Sequence, residues 1–342
     1  MSVTIKDVAK AANVAPSTVS RVIANNPRIS ERTKEKVREA MNTLGYHPNF
    51  IARSLANQST QVIGLVTPGS SDVFFQNPFF PTVLRGLSEG AHERQYALQL
   101  VTGQSEEDIY NGVVQMVQGG RVDGIVLLYS KVEDRILQYL RERNFPFVMI
   151  GKPYNFVEAI THVDNDNFKA GLDATEFLLG MGHERIAYIG GDAKLVVTVE
   201  RLSGYENALK KAGIPYREQY VLHESFLLEG GKEAVCALME LPLDERPTAL
   251  LVTDDLLALG VLNTLSELDI TVPDDISIIS FNNALFSEMS RPPLTSVDIN
   301  IFQLGFSASS QLIKRIENPN EPPTRITVPH QIVSRFSTEH VK

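Results

Sequence analysis

The chain of 342 residues has a single cysteine, Cys236, which leaves no internal disulfide framework and no cysteine cluster for zinc. No apolar run approaches membrane-spanning length, and the N-terminus reads as a polar helix pair rather than a secretory signal. A cytoplasmic location without membrane contact is therefore the expectation. The seven histidines are scattered without ligand spacing. The signatures G-x-S-x-G, G-x-x-x-x-G-K-[ST], H-E-x-x-H and a strand followed by G-x-G-x-x-G are all missing. Asp164 and Asp166 open a calcium-loop pattern, but the Gly and terminal Glu that it needs do not follow. Asp254 and Asp255 could pass for paired carboxylates, yet chain neighbours point apart. Neither enzyme chemistry, nor a cofactor, nor a metal is expected.

What is present is an uneven distribution of charge. Residues 1–60 hold nine Lys/Arg against four Asp/Glu, a net of +5, in a chain whose net charge is −9. The remainder is therefore −14, and an acidic body with a basic head points to a polyanion as the partner of the head. Within the head, Ile5, Val8 and Ala9 are spaced for one helical face, and Val19, Val22 and Ile23 repeat that spacing after Pro16. Asn13 falls where the chain must reverse, and Asn tolerates a left-handed backbone. The pattern is helix-turn-helix, whose second helix enters a DNA major groove. Ser30 reads as the N-cap of a third helix, Glu31–Leu44, which Gly45 ends.

From Val62 the rhythm changes to apolar runs of strand length alternating with helical segments, in two successive series. Such alternation gives parallel sheets covered on both faces, so the expected fold is α/β: an all-α helix-turn-helix head followed by two doubly wound subdomains. The expected limits are 1–47 for the head, 48–61 for a hinge and linker, and 62–342 for the core. Within the core, 62–163 with 295–325 form one subdomain and 164–294 with 326–342 the other.

The run TIKDVAKAANVAPSTVSRV, followed by NPRISERT and GYHPNFIARSLA, resembles the lactose-repressor (LacI/GalR) family, and later matches extend the resemblance over nearly the whole chain. Where the family usually has Gly-Val-Ser, this chain has Asn13-Val14-Ala15, so one hydroxyl is missing. The resemblance implies a core of periplasmic-binding-protein type and a homodimer on a two-fold symmetric operator. Pro16, Ser17 and Arg21 are the candidates for base edges, with Arg21 suited to bidentate guanine contact. Thr4, Thr18, Ser20, Arg28, Ser30, Thr33 and Tyr46 are candidates for the DNA backbone. By resemblance, 50–57 is a hinge helix that forms on DNA, Leu55 is its minor-groove wedge, and Asn49 and Arg53 contact the DNA backbone or groove edges.

Open α/β sheets bind ligands beyond the carboxyl ends of their strands, which selects Ser70, Asp72, Phe79, Lys152 and Asp164. The resemblance adds Arg201, Phe226, Asp254 and Asn282, the last at a position that is more often Asp. Two local alternatives stay open. The Phe74–Phe80 cluster could be core packing, and Asp164-Asn165-Asp166 could cap the next helix. Polar groups beside aromatic faces suit a saccharide. Within the family, IGKP, HVDNDN and SFNN resemble the maltose-operon type, which implies maltose or a maltodextrin. The expectation is a ligand-responsive repressor of carbohydrate-utilisation genes. One alternative is a global carbon-catabolite regulator with a phosphorylated carrier protein as co-regulator. The other is a non-regulatory sugar-binding protein, which the basic head opposes.

Overall fold

The computed structural model of the protein describes residues 3–24, 26–46 and 59–341, apart from the side chains at 68 and 70–73. The chain forms two units, Met1–Gln61 with Gly120–Asp123 and Val62–Gly119 with Gly124–Lys342. In the first, α1 (Ile5–Ala11), α2 (Pro16–Ile23) and α3 (Glu31–Leu44) bury Val8, Ala9, Ala12, Val19, Val22 and Val37 against one another. The elements start and stop for local reasons. The Asp7 carboxylate accepts from the Thr4 backbone N–H and hydroxyl at the head of α1. Asn13 sits at φ 51° in the turn, and Pro16 opens α2. Ser30 caps α3 by accepting from the Thr33 N–H, and Gly45 closes it at φ 64°. In the same unit the Asp123 carboxylate accepts from Ser59 Oγ, Thr60 N, Thr60 Oγ1 and Gln61 N at 2.6, 2.7, 2.8 and 2.8 Å. Asn49, Arg53, Leu55 and the expected hinge helix lie outside the described residues.

The second unit carries β1 (Val62–Ser70), α4 (Ser71–Gln76), α5 (Phe79–Glu93), β2 (Ala97–Gly103), α6 (Glu106–Gln118), β3 (Gly124–Leu127), α7 (Arg135–Glu142), β4 (Phe147–Ile150) and β5 (His162–Asp164). The second series is α8 (Asn167–Gly180), β6 (Ile186–Gly190), α9 (Val196–Ala212), β7 (Val221–His223), α10 (Leu228–Met239), β8 (Ala249–Val252), α11 (Asp255–Glu267) and β9 (Ser277–Phe281). After it come α12 (Leu285–Met289), β10 (Thr295–Asp298), α13 (Ile301–Glu317), β11 (Arg325–Thr327) and β12 (Gln331–Val333).

One sheet has the order β11-β5-β4-β3-β1-β2 and the other β12-β10-β9-β8-β6-β7. All ladders are parallel except β10–β12. Both sheets therefore repeat one winding, with strand order reversing between β1 and β3 in the first and between β6 and β8 in the second. Their central strands are buried on both faces, which is why they read as unbroken apolar runs. Helices close in tightly: a Cβ on Gly86 would stand 2.1 Å from the Phe302 carbonyl of α13, and one on Gly305 would stand 2.2 Å from that of Val83.

The chain passes between the sheets after β5, after β10 and after β11. Asn165, in the first passage, donates to the carbonyls of Ile299 and Val328 in the other two, at 3.0 and 2.8 Å. These passages revise the expected limits. Residues 295–298 pair with β9 and belong to the second sheet, and residues 326–327 pair with β5 and belong to the first. β11 and β12 are not a strand pair, since they close different sheets. Chain order alone could not assign them, because a short terminal strand extends whichever sheet edge it reaches. β1 continues to Ser70, and α4 follows at once.

Candidate functional site

On the head, α2 has two faces. Val19 and Val22 are buried, while Pro16, Ser17, Ser20 and Arg21 are exposed and Thr18 is half-buried. Helical spacing puts Ser17, Ser20 and Arg21 on one exposed strip, free of packing duty. Thr4, already hydrogen-bonded to Asp7, retains acceptor capacity on its hydroxyl. Ser30 and Thr33 share a 2.9 Å hydrogen bond at the N-terminus of α3, where the helix dipole favours an anion. Arg28 is exposed, and Tyr46 is half-buried against the head core.

In the core, a cavity of about 820 Å³ opens at the carboxyl ends of strands from both sheets, at both reversals of strand order. Of the expected residues, Phe79, Asp164, Arg201, Phe226, Asp254 and Asn282 line it. Lys152 does not. Its ammonium pairs with Glu200 at 2.6 Å, and its backbone N–H donates to Asp164. The side chains of Ser70 and Asp72 lie outside the described set.

The inner end of the cavity is organised around two groups. Arg201 lies in α9 and is 4% exposed. It donates from Nε to Asn167 Oδ1 at 3.0 Å and from Nη1 to the Thr253 carbonyl at 2.8 Å, and its guanidinium lies 4.2 Å from the Phe281 ring centroid. Burial lowers its pKa to about 10, against the opposing pull of Tyr188, Asp164, Asp254 and Asp255, so it remains a cation at neutral pH.

The second group is the Asp254 carboxylate. One oxygen accepts from the N–H groups of Leu256 and Leu257 and caps α11; the other accepts from Asn77 Nδ2 at 2.9 Å and Asn282 Nδ2 at 2.8 Å. Four donors fill a carboxylate's four acceptor positions. Asp254 thus holds two amides in place, and the amide donor of Asn282 is engaged by it. A carboxylate at 282 would instead face Asp254 across 2.8 Å. Asp255 points the other way, accepting from Ser280 Oγ, Ser296 Oγ and Ala284 N.

The run at 164–166 divides three ways. Asp166 caps α8, Asn165 ties the chain passages, and Asp164 accepts from Lys152 N, Asn165 N and Asn167 Nδ2 at the cavity wall. Burial raises the carboxyls of Asp164 and Asp255 to about 7 and pushes that of Asp254 upward, which weakens the negative charge at this end. The Phe cluster divides as well. Phe74 and Phe80 stack at 4.5 Å within the core, Phe75 is exposed, and Phe79 and Phe226 give the cavity aromatic walls.

Sequence reasoning missed the loop after β3, whose Tyr129, Ser130 and Lys131 line the cavity together with Glu106. The same strand-end rule that selected the other loops also selects this one. The missed loop also bonds to the start of α9 and the segment before it: Val132 N donates to the Lys194 carbonyl at 2.9 Å and Val196 N to the Ser130 carbonyl at 3.0 Å. With Asn77–Asp254 and Lys152–Glu200, these bonds join one sheet's loops to the other's.

The family model for bacterial regulatory proteins of the lacI family matches residues 4–49, and that for a periplasmic binding protein-like domain matches 175–338. The chain is similar to the HTH-type transcriptional regulator MalR of Streptococcus pneumoniae, at 44% identity over 98% of this chain and 100% of that one. Among solved structures, it resembles a putative LacI transcriptional regulator from Bacillus cereus subsp. cytotoxis (TM-score 0.81, 50% identity, 82% of this chain and 99% of that one). It also resembles a transcriptional regulator CelR–cellobiose complex (TM-score 0.76, 32% identity, 98% and 99%).

Proposed function

Since this chain belongs to the lacI family of bacterial regulatory proteins, we propose that it is a cytoplasmic, sugar-responsive transcriptional repressor that binds a palindromic operator as a homodimer. The observation that carries this reading is one chain holding both parts: a basic helix-turn-helix head with an exposed strip at Ser17, Ser20 and Arg21, and a large cavity with aromatic walls and buried polar groups. Arg21 reads a guanine edge. Ser17 and Pro16 contact neighbouring bases, and Thr4, Thr18, Ser20, Arg28, Ser30, Thr33 and Tyr46 hold the phosphates. One head makes too few contacts to bind tightly alone, so two heads act on two half-sites.

The effector is a neutral saccharide, with maltose or a maltodextrin favoured by the likeness to MalR; the similar regulator CelR forms a complex with cellobiose, a disaccharide of glucose. Its rings cover Phe79 and Phe226, and its hydroxyls meet Arg201 and the carbonyl of Asn282. No step of bond-making chemistry is required of these residues. The effector changes operator affinity only by the difference in its affinity for the DNA-bound and DNA-free conformations. A sugar that binds across the cleft replaces or strengthens the contacts between the two sheets' loops, and that difference supplies the coupling.

Fluorescence anisotropy of the full chain on a selected palindromic site, with and without saturating maltose, tests this. A marked loss of operator affinity with maltose is expected. Unchanged affinity with every sugar, together with tighter binding on adding a phosphorylated carrier protein, would replace the sugar by a protein co-regulator.

A further inference from the structure

The cavity is not one site but has two ends of different construction. At the inner end, Asp254 is filled by four donors and Asp164 accepts three. At the outer end stand Glu106, Tyr129 and Lys131, which also line a smaller adjoining cavity of about 130 Å³ with Tyr110, Asp134 and Arg135. Lys131 Nζ lies 2.5 Å from Glu106 Oε1 and 5.5 Å from the Tyr129 ring centroid. Asp134 spends one carboxylate oxygen on capping α7 through the N–H groups of Ile136 and Leu137. Its other oxygen is buried beside the Tyr129 hydroxyl, whose pKa its charge helps to raise, without a hydrogen bond of normal geometry among the described residues. A carboxylate oxygen offers two acceptor positions, so at least one is left there, and a ligand hydroxyl is the kind of group that would fill it.

We propose that this outer end is a second carbohydrate subsite, in which Glu106, Tyr129, Lys131 and Asp134 bind the next ring of a glucose oligosaccharide and make the protein selective for chain length. The proposal rests on the saccharide reading above and deepens it. An aromatic face, a cation and two carboxylates within one pocket supply both halves of sugar recognition: a surface for C–H groups and paired donors and acceptors for hydroxyls. The subsite lies beside the loop whose backbone bonds to Lys194 and Val196 tie it to the second sheet's side of the cavity. A ring seated there touches the loop that closes over it, so longer ligands hold the two halves together more firmly than one ring can.

The test is isothermal calorimetry on the full chain with α-linked and β-linked glucose oligomers of one to four rings. The variants are Lys131→Met and Asp134→Asn; the second keeps a side-chain oxygen for the α7 cap, and thermal melts report folding of both. The expected result is an affinity that rises at least about tenfold from one ring to the preferred oligomer, with the variants losing about tenfold for the oligomer and little for glucose. Equal loss for glucose and oligomer, or no loss in either folded variant, would overturn the subsite while leaving a saccharide effector in place. Failure of every oligomer to bind the wild type would overturn the saccharide reading, and the subsite with it.

Discussion

The head and the core use side chains in opposite ways. On the head, the candidate residues Ser17, Ser20, Arg21 and Arg28 are exposed and leave the packing to Val8, Val19, Val22 and Val37. In the cavity, Arg201, Asp254 and Asn282 are buried and bonded to protein before any ligand arrives. The difference follows from the partners. A phosphate backbone is itself strongly charged and sheds counterions, so exposed cations suffice to engage it. A neutral polyol offers only hydroxyls, so it must be met by groups that are desolvated and held in place beforehand.

The comparison is broken most severely at Arg201. Arg201→Ala removes two hydrogen bonds and the cation facing buried Asp164 and Asp254. It is expected to cost about 3–5 kcal/mol in stability and roughly 100-fold in sugar affinity. Arg201→Lys should recover little, because Lys lacks the planar fork that serves Asn167 and Thr253 together. Thermal melts and calorimetry check both, and a stable Ala variant that binds sugar normally would end the argument for prearrangement.

Proton binding sharpens the same contrast. Asp164 and Asp255 have pKa values raised to about 7 from 3.8, so between those values the folded core binds more protons than the unfolded chain. Their contribution to stability therefore falls as pH rises from about 4 to 7 and is flat above, by at most on the order of 4 kcal/mol per group. His162 and His183, lowered by burial, act oppositely: their contribution is present above pH 6.5 and is lost as pH falls below it. The decisive quantity is the stability of wild type relative to Asp255→Asn, in which the wild type should gain as pH falls from 8 to 5. A constant difference would mean that Asp255 stays ionised throughout.

Smaller effects belong to the head. Arg21→Ala should relax discrimination at one base pair by about 1–3 kcal/mol and leave sugar affinity unchanged, as read by anisotropy on single-substitution operators. An unaltered site preference would remove Arg21 from the reading set. Ser30→Ala should cost the head about 1 kcal/mol through its lost cap, with the core melting as before.

Much of this architecture is legible in the sequence because its signals are local. The helix-turn-helix pattern needs only the spacing of Ile5, Val8 and Ala9, the repeat at Val19, Val22 and Ile23, and a residue at 13 that accepts a left-handed turn. The strand-end rule pointed to Asp164 and the family resemblance to Asp254 and Asn282, and all three line one cavity although they lie far apart in the chain. The rule failed for Lys152, whose ammonium found a closer partner in Glu200, and it was not carried to Tyr129 and Lys131, where it would have succeeded.

The sequence by itself determined the division into a basic head and an acidic α/β core, the kind of each element, and the strand ends where a ligand could bind. Those properties follow from periodicity and charge among near neighbours, which the chain carries whatever its tertiary fold. Only the tertiary structure decided that Asp254 is filled by Asn77 and Asn282, 177 and 28 residues away, and that Asp164, Asn165 and Asp166 serve three separate purposes. It also decided which sheet claims β10 and β11. Hydrogen-bond saturation and edge pairing depend on which distant groups arrive at a site, and no local pattern records that.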